Sequence, residues 1–269
     1  MKYAISNIAL PQYKHCTELS ELASLGFEGV EVAPSRVWSD TWKGLSATDI
    51  RRYRHDVETA GLEVVGLHSL LFDQPDLALC DSSQKRARLM EYFVHLSSVC
   101  RDLGGRTIIW GGGRRRGEMS ADEALTVAVE FFGALADRIE SHGTVYCLEP
   151  LSAADTDFVY SVRECQAISH TVNRPGLKVQ IDVKAMASNN ELDQDTISAV
   201  AADLVHVHAN EPGFDVLGSS GTVDHRFAGE CLRGIGYDGY VSIEQKMIDP
   251  DDILGPISQS YEILREVYA

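Results

Sequence analysis

Leu25-Gly26-Phe27-Glu28-Gly29-Val30-Glu31-Val32, near the start of the chain, returns near its end as Ile235-Gly236-Tyr237-Asp238-Gly239-Tyr240-Val241-Ser242-Ile243-Glu244. Each copy reads as a helix stop, a tight turn and a strand. Gly26 and Gly236 can take the left-handed conformation that closes a helix, and β-branched residues follow within a few positions. Working outward, similar apolar runs recur around Tyr3–Ile8, Val30–Ala33, Val64–Leu67, Thr107–Trp110, Val145–Leu148, Lys178–Ile181, Leu204–Val207 and Tyr240–Ile243. They predict eight strands. The intervening stretches carry helical period, as in Leu89, Phe93, Leu96 and Cys100, or Val127, Phe131, Ala134 and Leu135. Ser46-x-x-Asp49 and Ser120-x-x-Glu123 resemble capping boxes, and Asp249-Pro250 offers an N-cap followed by proline at the first helical position.

Strand and helix therefore alternate from end to end, at about 34 residues per unit against roughly 31 for a typical (β/α)8 barrel. The expectation is an α/β fold, a single TIM barrel over residues 1–269. An open doubly wound sheet is the alternative. It is disfavoured because no G-x-G-x-x-G follows the first strand and Gly111-Gly112-Gly113 lacks the Lys-Ser/Thr of a phosphate loop.

Composition narrows the function classes. The chain of 269 residues is 44% hydrophobic and 24% charged, as a globular protein is. No apolar run approaches the roughly 20 residues of a membrane span, and the N-terminus lacks a signal-peptide pattern, so a cytoplasmic protein without a membrane partner is expected. Six cysteines, none in a C-x-x-C pair, suggest neither a zinc site nor a disulfide framework. A formal charge of -16 opposes a nucleic-acid partner. Exposed helix faces leave room for a homo-oligomer.

Barrel enzymes place their chemistry at the C-terminal ends of the strands. Strand five ends Cys147-Leu148-Glu149-Pro150, strand six Gln180-Ile181-Asp182-Val183, strand seven His206-Val207-His208-Ala209 and strand eight Ser242-Ile243-Glu244-Gln245. Three carboxylates and an imidazole on half of one rim repel unless protons or a cation offset them, and one divalent metal is the simpler answer. Oxygen donors with one nitrogen and no thiolate point to Mn2+, with Mg2+, Co2+ or Zn2+ as alternatives. On other strand ends, Glu31 and His68 are candidates to bond sugar hydroxyls, and Trp110 offers an apolar floor to a sugar ring. His206 lies one layer deeper than His208 on the same strand face, in a supporting position. Lys184 and Lys246 follow two of the acids by two residues. Arg114-Arg115-Arg116, the one dense basic cluster, is a candidate clamp for a carboxylate or phosphate.

Leu148-Glu149-Pro150-Leu151, Ile181-Asp182, His206-Val207-His208-Ala209-Asn210-Glu211 and Gly236-Tyr237-Asp238-Gly239 leading into Ile243-Glu244 together resemble the sugar phosphate isomerase/epimerase superfamily with its xylose-isomerase-like barrel. The resemblance spans essentially the whole chain. It implies that Glu149, Asp182, His208 and Glu244 bind the metal and that, as in ketose 3-epimerases, Glu149 and Glu244 exchange protons with a carbohydrate substrate. A metal chelating a carbonyl and its neighbouring hydroxyl acidifies the adjacent C–H and stabilises the resulting enediolate. Loss of a β-hydroxyl from the same species gives a dehydratase or lyase instead. The ketose branch usually has a histidine three residues after the metal aspartate and an arginine six after the metal histidine, where this chain has Ala185 and Phe214. Asp155 stands where that branch has a further glutamate, and Glu211 completes its H-x-x-E pattern. A DNA-repair endonuclease shares the barrel but is expected to need further histidines, which Ala185 and Trp110-Gly111 do not supply.

Overall fold

The computed structural model describes all 269 residues. Its strands are β1 (Lys2–Ser6), β2 (Gly29–Val32), β3 (Glu63–Leu67), β4 (Thr107–Trp110), β5 (Val145–Leu148), β6 (Leu177–Asp182), β7 (Leu204–Ala209) and β8 (Tyr240–Ile243). They pair in parallel and in chain order, and β1 closes on β8 with Lys2 opposite Tyr240 and Ile5 opposite Ile243. The helices are α1 (Cys16–Leu25), α2 (Pro34–Val37), α3 (Ala47–Thr59), α4 (Ser83–Leu103), α5 (Ala121–Ile139), α6 (Val162–Val172), α7 (Val183–Ser188), α8 (Gln194–Val200), α9 (His225–Gly234) and α10 (Leu254–Val267). The expected (β/α)8 barrel is thus the fold.

Local chemistry accounts for the boundaries. Ser46 with Asp49 and Ser120 with Glu123 form reciprocal capping boxes at the starts of α3 and α5, satisfying amides the helix leaves unpaired. Gly26 closes α1 at φ 112°, a conformation that strains any residue with a Cβ. Two boundaries depart from expectation. The first strand stops at Ser6 because its hydroxyl accepts from Ile8 N and turns residues Asn7–Ala9 into a 3-10 turn. The last helix begins at Leu254 instead of Pro250, because Asp249 accepts from Asp251 N in a local turn and it is Asp252 that accepts from Gly255 N at 2.9 Å.

The main apolar core, 61 buried residues, joins the helices to the outward faces of the strands. A small separate cluster of Ile109, Val145 and Cys147 packs inside the barrel between β4 and β5. Strand alternation places Glu149 on the same face as Val145 and Cys147, one step further toward the C-terminal rim. Register shifts at Val30/Glu31 and Val179/Gln180 interrupt the ladders beside two polar interior residues. Such irregularities re-aim side chains.

Candidate metal centre and substrate cavity

Glu149, Asp182, His208 and Glu244 are all buried, and one donor atom from each lies within 4.8 Å of all the others. Glu149 Oε1 approaches His208 Nδ1 to 3.0 Å, and Glu244 Oε2 approaches it to 3.5 Å. Gly111 makes room for the cluster, since a Cβ there would collide with the Glu149 carboxylate. Two neutral amides span the acids. Gln180 Nε2 donates to Glu149 Oε1 at 2.7 Å and to His208 Nδ1 at 2.8 Å. Asn210 Nδ2 donates to Asp182 Oδ2 at 2.7 Å and Glu244 Oε2 at 2.8 Å, while its Oδ1 accepts from Lys184 N at the start of α7.

A second layer lies beneath. Glu31, completely buried, accepts from His208 Nε2 at 2.9 Å and from Ser242 Oγ at 3.0 Å through one oxygen. That bond leaves the proton of a neutral His208 on Nε2 and turns Nδ1, with its lone pair, toward the acids. His206 approaches the other Glu31 oxygen to 3.1 Å without the alignment of a hydrogen bond, and both its ring nitrogens are unpartnered. His68 Nε2 meets Ser6 Oγ at 2.5 Å, and its Nδ1 lies 3.5 Å from Glu244 Oε1.

The electrostatics describe a site with surplus negative charge. Burial pushes the Asp182 carboxyl up to about 6, the Lys184 ammonium pulling against it and Glu149 and Glu244 adding to it. Burial alone would lower the His208 imidazole, yet the carboxylates of Glu31 and Glu244 hold it well above the usual histidine range. Protons therefore gather where carboxylates crowd, and a divalent cation is the alternative neutraliser. The donor set, with converging lone pairs and a histidine oriented from behind, fits such an ion.

Above the acids opens a cavity of about 660 Å3. Tyr13, Trp38 and Phe72 line it from the loops after β1, β2 and β3, with Tyr13 52% and Phe72 79% exposed. Lys184, in the first turn of α7, lines it too, with Phe214 and Lys246 from the segments after β7 and β8.

A sequence profile described as the xylose isomerase-like TIM barrel matches residues 19–267. The chain belongs to the xylose isomerase-like TIM barrel family. It is 27% identical over 168 residues, 60% of its length, to a ketose 3-epimerase of Arthrobacter globiformis, covering 55% of that protein. It is 32% identical over 123 residues, 41% of its length, to a putative hydroxypyruvate isomerase of Xenopus laevis, covering 42%. The chain thus spans about half the length of the curated relatives it matches. Among solved structures, D-psicose 3-epimerase of Clostridium cellulolyticum H10 with D-tagatose superposes at a TM-score of 0.83 with 18% identity, covering 100% of this chain and 99% of the other. The 3-keto-D-glucoside 4-epimerase of E. coli superposes at 0.81 with 21% identity and 99% coverage of both. At these identities the superpositions speak for the fold.

Within this xylose isomerase-like barrel the candidate residues fall into three groups. The four proposed metal ligands converge; Glu149, Asp182 and Glu244 line the cavity together with His68 and Lys246, while His208 lies fully buried beneath them. Glu31 sits behind His208, outside the cavity, so it meets the imidazole where a sugar hydroxyl was expected. The remaining candidates are elsewhere. Arg114 is not a surface clamp: its guanidinium is 2% exposed and donates to the carbonyls of Gly111 (2.6 Å), Glu149 (2.6 Å), Val159 (2.7 Å) and Trp110. Trp110 is no cavity floor, being buried between Arg114 and Phe132. Asp155 is exposed outside the cavity, where its backbone carbonyl accepts from Arg115. Glu211 is fully buried away from the cavity and accepts from Gly218 N, Ser220 Oγ and His225 Nε2. Gln180 and Asn210 were missed. Each lies two residues from a ligand on the same strand face, Gln180 before Asp182 and Asn210 after His208, and that period is the signal that finds them.

Proposed function

We propose that this protein is a divalent-metal-dependent isomerase or epimerase of a keto-sugar or sugar acid, working through an enediolate. The reading is carried by the convergence of Glu149, Asp182 and Glu244 at the floor of the cavity on His208 just beneath it. Bound by these four, a cation, for which the donor set favours Mn2+, supplies Lewis acidity to a substrate carbonyl and the hydroxyl beside it. The chain's own groups do the rest. Glu149 and Glu244 come from the two ends of the β5–β8 arc, so one carboxylate takes a proton from the carbon next to the carbonyl and the other returns one. Gln180 and Asn210 hold these carboxylates in place, and His68 adds a polar contact beside Glu244. The aromatic wall of Tyr13, Trp38 and Phe72 shields the reacting carbon from bulk water.

Ala185 and Phe214, where ketose 3-epimerases usually have a histidine and an arginine, support a second reading in which a β-hydroxyl leaves as water. One experiment tests both. Ketoses, keto-sugar acids and sugar phosphates are incubated in D2O with Mn2+-loaded protein and followed by NMR, broadening being removed by exchanging Mn2+ for Mg2+ before the spectra. Deuterium next to a carbonyl, lost on chelation, is expected; new diastereomer signals identify an epimerase and loss of water a dehydratase. Full exchange by a Glu149→Gln, Glu244→Gln double variant refutes the mechanism.

A further inference from the structure

Two lysines stand beside the acid cluster without a carboxylate partner. Lys184 follows Asp182 by two residues in the first turn of α7, and Lys246 follows Glu244 by two after β8. Their loops meet at Phe214, whose ring lies 4.8 Å from Lys184 Nζ and whose carbonyl accepts from Lys246 N at 2.9 Å. Lys2, Lys85 and Lys178 each find a carboxylate. Lys184 and Lys246 form no ion pair, although both face a cavity lined by four carboxylates. A third cation, Arg36, lines the opposite wall with a buried Nε that has no partner. Of the four acids, Asp73 is already held by Thr41 Oγ1 at 2.5 Å.

The balance matters once a divalent cation binds. With Glu31 behind His208 included, the carboxylates outnumber Arg36, Lys184 and Lys246 by two, so a bound divalent ion takes up the whole surplus and leaves no spare carboxylate for the lysines. The ammonium groups are then left beside a like charge, an arrangement a neutral sugar does not relieve. In a chain of formal charge -16, this local concentration of unpaired cations selects for something specific. Phe214 adds no polar group for a sugar hydroxyl at this wall.

We infer that the substrate is an anion, a keto-sugar whose carboxylate or phosphate is seated between Lys184 and Lys246 while its carbonyl end faces Glu149, Asp182 and Glu244. The orientation of the carbonyl end rests on the isomerase reading; the seat for the anion rests only on the metal site. Mn2+-loaded protein is titrated calorimetrically with D-fructose, D-fructuronate and D-fructose 6-phosphate, in the wild type and in Lys184→Met, Lys246→Met and Lys246→Arg. At least one anion should bind about tenfold more tightly than fructose, ~1.4 kcal/mol. That preference should collapse in either Met variant and return in Lys246→Arg, and the preferred anion tells carboxylate from phosphate. Equal affinity for all three sugars in the wild type, or a preference indifferent to both lysines, overturns the inference. Deuterium exchange is read on the same samples. Exchange on fructose without anion preference sinks the anion seat alone, whereas a lysine-dependent preference without exchange on any probe sinks the isomerase reading alone.

Discussion

Replacing Arg114 with methionine removes the guanidinium but keeps an apolar stem of similar length. The side chain is 2% exposed, and it joins the loop after β4 to the end of β5 and to Val159 by donating to four carbonyls while stacking 4.1 Å from the Trp110 ring centroid. Burial pushes the guanidinium down only to about 10, so it stays charged at neutral pH. Hydrogen bonds to a charged group contribute ~1.5–3 kcal/mol each, but the desolvation of the guanidinium offsets several kcal/mol of their sum. In the variant, Trp110 O keeps a bond from Glu149 N at 3.3 Å, while the carbonyls of Gly111, Glu149 and Val159 lose their guanidinium donor. At ~1–3 kcal/mol for each stranded acceptor, a total loss of ~3–5 kcal/mol is expected once partial relaxation is allowed. In urea denaturation with m of ~3 kcal/mol/M, the midpoint should fall by roughly 1–1.7 M. Arg114→Lys, with its charge but without the planar fork, should lose about half as much. A loss under ~1 kcal/mol for methionine, with affinity for anionic sugars reduced instead, would refute the structural role and restore the clamp.

Other outcomes follow from the same geometry. Glu31→Gln should weaken Mn2+ binding about 10–100-fold in calorimetry with the fold unchanged by circular dichroism, because the buried carboxylate that orients His208 is lost; unchanged affinity would show that the imidazole is oriented without it. Glu149→Gln and Glu244→Gln should each abolish substrate deuteration while the melting temperature without metal stays the same or rises, since each removes a charge from the crowded site; a fully active single variant would exclude that glutamate. Asp203 accepts from Lys178 Nζ at 3.0 Å and His170 Nε2 at 2.7 Å, and although burial raises it, these bonds hold it below the usual aspartate value. A depressed carboxyl stabilises the fold above its unfolded pKa and ceases to do so as pH falls through the folded one. Asp203→Asn should therefore cost ~1–2 kcal/mol at pH 7 and progressively less below pH ~4, measured by denaturation across pH; a pH-independent cost would remove the carboxylate from the account.

The barrel was legible because its signals are local. Alternation, capping serines and the closing glycine Gly26 act within a few residues, and the ends of β5 to β8 can be read off once the strands are placed. Arg114 was misread for the opposite reason. A run of arginines after three glycines looks solvated, and only the folded path of the loop carries the first of them under β4 and β5 while Arg115 and Arg116 stay at the surface, bonded to the backbone of Asp155 and Asp157. Glu31 was placed on the correct strand but at the wrong depth, since its partner His208 is 177 residues away in sequence. Gln180 and Asn210 escaped notice because a neutral amide gives no ionic signal, and the register shift beside Gln180 is invisible to simple alternation. The helix does not start at Asp249-Pro250, where Asp249 is engaged in a local turn with Asp251 N, and Asp252 accepts instead from Gly255 N in the first turn.

The cavity's two walls have largely separate origins in the chain: Tyr13, Trp38 and Phe72 come from the loops after β1 to β3, together with Asp73, whereas Glu149, Asp182, Glu244 and the two lysines come from the strand ends and following residues of β5, β6 and β8. Each wall is anchored in its own half of the barrel. A change in the loops carrying Tyr13, Trp38 or Phe72 can reshape the entrance without disturbing the acids, because no hydrogen bond from these three side chains reaches the floor. The three aromatic-bearing loops are in effect an exchangeable collar over a fixed floor, because Glu31 and His68, which do reach the floor from the front half, sit on β2 and at the end of β3 beneath them and not on the collar.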